Sequence, residues 1–285
     1  MARYAILTDI HANIEALEAV LSDADKNRID DIWFLGDLVV YGTNPNECVS
    51  RLHQAVGADK WPGISVVGNN DQAIIDGKEP ETVADLMAKA GEVSAEAQKY
   101  RDATTECHQW TVETLTEESK KILAQLGSGP RNVLTNSILV HASPCDPVGM
   151  AGNYLTNTME AEEALWCLGQ RGNDMCLFGH THLTTLFKEI STDRPYNNCE
   201  LLQRQVLTGQ TILLDGHRLL INPGSVGQPR DGDNRAAYAI LDDGANTIQF
   251  RRVEYNRQKT FQALEKSGLS ESTVLALQER LNTAR

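Results

Sequence analysis

The sequence is short of basic residues. Its 26 Lys+Arg stand against 39 Asp+Glu, giving a formal net charge of −13 over 285 residues, and no Lys/Arg cluster offsets it locally. A long-range grip on duplex nucleic acid or on an anionic membrane is therefore not expected, because both need a concentrated positive field. Long apolar runs are also missing. No stretch approaches the roughly 18 residues of a membrane span, and the opening RYAILTD has no basic, apolar and small-residue leader pattern, so a cytoplasmic protein is expected. The six cysteines (Cys48, Cys107, Cys145, Cys167, Cys176, Cys199) form no CxxC pair and no dense spacing, which argues against a disulfide framework or a structural zinc module. Cys145, four residues after His141, reads as a small, partly buried residue. The spacing of Gly36, Val39 and Gly42 does not make G-x-G-x-x-G, so a dinucleotide fingerprint is missing as well.

What is present is ordinary globular material, 41% hydrophobic and 23% charged, which excludes an intrinsically disordered chain. Residues 3–9 predict a strand, and Asn13 to Lys26 carries Ile14, Leu17, Val20 and Leu21 at helical spacing. The pattern repeats with a strand over 31–36, a helix over 45–56 and a strand over 64–67. From about 80 to 127 the texture turns to Ala, Glu, Lys, Gln and Leu between two turn-rich segments, predicting a helical, cap-like insertion within a single domain spanning 1–285. Trp110, Met87 and Leu115 of that insertion read as core residues. Strands are then predicted over 137–141 and 175–178 with a helix over 160–168 between them. Hairpins are predicted over 213–220, split at Asp215-Gly216, and over 237–253, split at Asp243-Gly244. Two amphipathic helices, 256–266 and 270–281, follow.

Five segments place metal-competent side chains where a predicted strand enters a loop: TDIHAN (8–13), GDLVVYG (36–42), GNND (68–71), VHASP (140–144) and GHTH (179–182). Asp9 and His11, two apart on an extended exit, should point to one side, and so should His180 and His182. Each motif alone is weak. Their joint occurrence, each after a predicted strand, fits ligands gathered at the carboxyl edge of a sheet. Mixed His, Asp and Asn donors without thiolate suit Mn, Fe, Zn, Co or Ni better than Ca or Cu(I).

Taken as a set, D-x-H, GD, GN[HD], a single His and GHxH resemble the signature of the calcineurin-like metallophosphoesterase superfamily, over residues 3 to about 230. The segments LGDLVVYGTNPNEC, VVGNND and INPGSVGQPRDG are similar to a small bacterial and archaeal phosphoesterase-type subgroup. The resemblance implies an α/β (α+β) fold, a four-layer αββα sandwich of two mixed sheets. It also implies two divalent metal ions bridged by Asp37, one held by Asp9, His11, Asp37 and His182, the other by Asp37, Asn69, His141 and His180. Asp37, Asn69, Asn70, Asp71 and His141 are the implied catalytic set, with Arg230 of the INPGSVGQPR loop meeting phosphate oxygens. The implied activity is hydrolysis of phosphodiesters or activated phosphate esters of small, nucleotide-like substrates by a metal-bridging hydroxide, with manganese among the candidate metals. Where many members read G-N-H-[DE], this chain has Asn70, an amide that cannot donate a proton as a general acid. That departure favours diesters and acidic leaving groups over phosphoserine-type esters, unless His108 or Asp71 compensates. Tyr41, Asn13 and Asn44 are candidates for the pocket mouth. The alternatives are a non-catalytic interaction scaffold on the same fold and a metal-dependent hydrolase of another bond type. Filled ligand positions favour the enzyme.

Overall fold

The computed structural model describes residues 2–78, 94–152, 154–190, 199–203, 207–215 and 218–285. Two mixed sheets lie face to face. The first runs β2 (Asp31–Phe34), β1 (Arg3–Leu7), β10 (Ala236–Asp242), β11 (Thr247–Val253), β8 (Thr211–Leu213). The second runs β3 (Arg131–Asn132), β4 (Ser137–Leu139), β5 (Met175–Leu177), β9 (Leu219–Pro223), β6 (Thr184–Glu189), β7 (Cys199–Gln203). Pairing is parallel for β1 with β2, β4 with β5 and β5 with β9, so the carboxyl ends of β4, β5 and β9 share one edge of the second sheet.

Strand alternation sorts the core into three clusters. Ile6, Trp33, Leu139, Leu177, Ile221 and Phe250 fill the space between the sheets. Their neighbours Leu7, Phe34 and Tyr238 face outward into a second cluster with Leu17 and Val20 of α1 (Ile14–Lys26) and Leu52 of α2 (Pro45–Val56). On the far side Ile138, Cys176 and Leu220 pack beneath Ala161, Leu165 and Leu168 of the 158–170 helix. Helix, sheet, sheet and helix are thus joined by three apolar seams, the four-layer sandwich that the resemblance implied. Fully burying each large aliphatic side chain is worth about 1.5–3 kcal/mol, which makes the seams the main source of stability.

Along the chain, α3 (Trp61–Ile64) and α4 (Asn69–Asp76) follow α2. The described part of the insertion is helical, α5 (Ala95–Thr114) and α6 (Glu117–Leu123). Met87 and the insertion's first residues lie outside the described residues. Leu115 joins the core, and the Trp110 indole donates to the Ser267 carbonyl at 3.0 Å. The 158–170 helix is α7 (Thr158–Gln170), and α8 (Arg257–Glu265) and α9 (Glu271–Thr283) close the chain.

Three sequence expectations need correction. The predicted strand over 64–67 is reduced to single bridges, Phe34 to Ser65 and Val66 to Gly127, because α3 occupies its start. The predicted hairpin over 213–220 does not form: β8 pairs with β11 in the first sheet, while β9 is wholly buried between β5 and β6 in the second. The two strands expected to pair thus belong to different sheets. Cys145 is not a free residue either, since it is joined to Cys167 of α7 in a disulfide across 22 residues. The hairpin of β10 and β11 forms as predicted, with Asp242 opposite Thr247.

Candidate metal centre

The motif residues sit one to five positions beyond β1, β2, β4 and β5 and at the start of α4, and the chain turns sharply to deliver them. Asp9, His11, Asp37, His180 and His182 all have φ between +47° and +65°. Left-handed backbone of this kind costs a non-glycine residue on the order of 1 kcal/mol and persists only where its surroundings enforce it. Here the backbone N–H groups of Asp9 and His11 donate to the carbonyls of Gly36 and Asp37 at 2.9 and 3.1 Å, locking the first two loops together. The alternation argument for Asp9 with His11, and for His180 with His182, therefore fails in its premise, because the backbone is not extended there. The side chains of Asp9 and His11 converge nonetheless.

Gly68 makes close approach possible: a Cβ there would fall 2.1 Å from Asp37 Oδ1. Asn70 then follows, its backbone N–H donating to Asp37 Oδ1 at 2.9 Å and its amide Nδ2 to Asp37 Oδ2 at 2.6 Å. Asp71 turns away from the centre. Its carboxylate accepts from the backbone N–H groups of Leu38, Val39 and Gly68 and so fastens the loop after Asp37. Burial and the nearby Asp37 charge raise its pKa to about 7.

Three imidazoles are oriented by main-chain carbonyls. The Nδ1 atoms of His11, His141 and His182 lie against the carbonyls of Val39, Leu35 and Gln228 at 3.1, 2.8 and 2.5 Å. A proton on each Nδ1 leaves a lone pair on Nε2, the arrangement of a histidine prepared to bind a cation. Those Nε2 atoms face carboxylates: His182 is 3.2 Å from Asp9 Oδ1, and His11 and His141 are 3.6 and 3.5 Å from Asp37 Oδ2. His11 Nε2 and His182 Nε2 lie 3.1 Å apart, and His141 Nε2 lies 3.1 Å from Asn69 Oδ1. All of these histidines and both aspartates are buried.

Among the described residues two groups have the right composition and spacing to hold a cation, Asp9 with His11 and His182, and Asp9 with Asp37 and His141, the ligand atoms of each lying within 4.8 Å of one another. Asp9 is common to both, whereas Asp37 stands between His11 and His141. His180 completes the gathering: its backbone N–H donates to Asp9 Oδ2 at 3.0 Å and its ring meets His141 edge-on. Its Nε2 is buried without a hydrogen-bond partner, as is Asp9 Oδ1. Unpaired buried polar atoms are costly, so their clustering here fits a site meant to be filled.

The electrostatics tie the carboxylates to the imidazoles. Burial opposes a charged carboxylate at Asp9, yet the histidines around it, His182 foremost, hold its pKa well below the ordinary range. Burial likewise opposes a charged His141, but the Asp37 carboxylate raises its pKa to about 9. Burial and the His141 charge push His180 down to about 3. Burial and the Arg230 charge do the same to His182.

The remaining sequence candidates are distributed around this centre. Tyr41 packs its ring edge-on against His11 at 4.7 Å and, with Asn13, lines a cleft beside it. Asn44 precedes α2 as its N-cap, donating its backbone N–H to the Ala12 carbonyl. Arg230 donates its backbone N–H to the His182 carbonyl at 3.1 Å, and its guanidinium reaches Gln228 Oε1 at 2.9 Å. His108 is buried on α5, and the preceding Cys107 points its thiol toward the Tyr41 carbonyl. Sequence reasoning missed Tyr154, which stacks on His180 at 4.2 Å. It follows an aperiodic loop, so no spacing could have flagged it.

Comparison with known proteins agrees with this geometry. The calcineurin-like phosphoesterase superfamily domain matches residues 3–245. The chain is 32% identical over 275 residues to an uncharacterized protein of Methanocaldococcus jannaschii, covering 94% of this chain and 93% of that one. Among solved structures it is similar to a metallophosphoesterase from Sphaerobacter thermophilus, with 34% identity, TM-score 0.76 and coverage of 100% and 99% of the two chains. A hypothetical protein from Pyrococcus horikoshii OT3 shares the fold at TM-score 0.66 and 19% identity, over 97% of this chain and 98% of that one. With the domain matched over most of its length and its motif residues gathered at one edge of the sandwich, the chain belongs to the calcineurin-like phosphoesterase superfamily.

Proposed function

We propose that the protein is a dinuclear metal-dependent phosphoesterase acting on phosphodiesters or activated esters of small, nucleotide-like molecules in the cytoplasm. The observation that carries this reading is the convergence of three carbonyl-oriented imidazoles and two buried carboxylates on one small volume. Asp9, His11, Asp37 and His182 would hold one cation, and Asp37, Asn69, His141 and His180 the other. Mn, Fe, Zn, Co or Ni suits these donors. When bound, the cations would polarise a phosphoryl group and acidify water for in-line attack.

The chain's own contribution is orientation and charge. Asn70 holds Asp37 through two hydrogen bonds, Asp71 fixes the loop behind it, and Arg230 supplies a cation for non-bridging phosphate oxygens. Mn-loaded protein should hydrolyse bis(p-nitrophenyl) phosphate. Asp37→Asn and His141→Ala should lower kcat/KM by roughly 10³-fold or more while leaving circular dichroism unchanged, as loss of a principal electrostatic group does. Full activity in either variant would overturn the proposal.

A further inference from the structure

Arg280 and Arg230 are two cations on adjoining segments beside the candidate centre, neither of them in an ion pair among the described residues. Arg230 leaves β9's loop directly beside His182. Arg280 arrives from the other end of the chain, on α9. The end of that helix is tied to the segment following Arg230: Gly232 N–H donates to the Ala284 carbonyl at 2.9 Å, and Asn234 Nδ2 to the Asn282 carbonyl at 3.1 Å. Leu277 and Leu281 of α9 line the same cleft as His11, Tyr41 and Gln228.

The Arg280 guanidinium lies over the Tyr100 ring of α5 at 4.1 Å, a stacking that fixes its plane. Helices α5 and α9 are laced around it by Glu106 with Ser270 and Thr273 and by Lys99 with Glu279. Burial and the Arg230 charge press its pKa down to about 10. The Nε of both arginines is buried and unpartnered. Guanidinium N–H groups in this state are matched by the oxygens of an anion.

We propose that Arg280, with Arg230 shared between it and the phosphate at the metals, forms an anion subsite next to the metal centre, which grips a second phosphate carried by the part of the substrate that is not transferred. The proposal rests on the phosphoesterase reading and narrows it to substrates with two phosphate groups, one placed at the metals and one at the arginines. Tyr154 stacks on His180 at the centre itself, and the Arg230 charge acts on its hydroxyl. Arg280 acts here on affinity for the second phosphate and not on the reacting atoms.

The test is calorimetric titration of the full-length, Mn-loaded protein with propane-, butane- and pentane-α,ω-diphosphonate, each against the alkyl monophosphonate of equal length. At least one diphosphonate should bind about tenfold or more tighter than its monophosphonate, the gain expected of one charge-assisted contact. Arg280→Gln should abolish that gain and leave monophosphonate affinity unchanged, a split that a purely structural role for Arg280 would not give. Arg280→Met, which keeps an aliphatic stem on Tyr100, is the second variant should Arg280→Gln not fold. Equal affinities across every pair in the wild type, or a gain that survives loss of the guanidinium, would overturn the subsite while leaving the phosphoesterase reading intact. Failure of the monophosphonates themselves to bind would overturn both.

Discussion

Asn70 shows how one side chain can trade chemistry for position. Its amide nitrogen is committed to Asp37 Oδ2, and an amide has no proton to give a departing alkoxide. Rates should therefore fall steeply as leaving-group pKa rises, and Asn70→His should flatten the slope, since a positioned acid contributes about 10²- to 10⁴-fold where the leaving group is poor. Measuring kcat/KM over a graded series of aryl esters decides it. A flat wild-type profile would point to another donor, with His108 the first to substitute. At this scale the identities of the candidate ligands were legible from residue type and motif order alone. Their geometry was not, because Asp9, His11, Asp37, His180 and His182 adopt left-handed backbone that local propensity disfavours. Asp71 was legible as a member of the GNND motif but not as the clamp on Leu38 and Val39, since that role depends on a loop about thirty residues away.

At the scale of elements, periodicity located α1, α2, α7, α8, α9 and the hairpin of β10 and β11, where a repeating apolar face fixes the outcome. It failed at 213–220. Turn chemistry marks a reversal, but it does not say which sheet the next strand enters, and the buried run of β9 had a place only between β5 and β6. The segment that carries Arg230 is braced by two ion pairs, Asp231 with Arg252 of β11 and Asp233 with the nearby Arg235. Burial would raise the Asp233 pKa, but hydrogen bonds from Arg235 outweigh it and lower it to about 2. A depressed carboxylate stabilises the fold fully above its unfolded value of about 4, and the contribution disappears as pH falls through the folded value. Asp233→Asn should accordingly be less stable than wild type at neutral pH in urea unfolding, with the gap narrowing from about pH 4 downward. A gap independent of pH would assign the difference to packing.

Across the whole molecule, the candidate centre joins the two sheets. Asp9, His11 and Asp37 follow strands of the first, while His141, His180 and His182 follow strands of the second. Removing bound metal should loosen that junction. In the presence of a chelator the midpoint of thermal unfolding should drop by roughly 5 °C or more, because about 2.7 kcal/mol of stabilisation accompanies a ligand at a hundredfold excess over its Kd. Calorimetry with and without added Mn reads this directly, and coincident curves would mean that no cation is held at the junction. The four-layer architecture itself could not be chosen over a doubly wound sheet from β-α order alone. It followed from family resemblance, because which strands pair across long separations is not written in local pattern.

The neighbours of β1 have a consequence for the order of events at the ribosome. Residues 3–7 emerge well before one of the two strands flanking them, β10, which begins at Ala236. Until the chain has been made past residue 236, the first strand lacks that edge partner, although His180 and His182, which gather with Asp9 and His11, have already been made. A nascent chain halted before residue 236 should thus remain open to protease around β1 and β2, while one extended beyond β10 becomes protected there. Pulse proteolysis of stalled chains of graded length would reveal it, and early protection there would show that β1 and β2 can stand without their late partner.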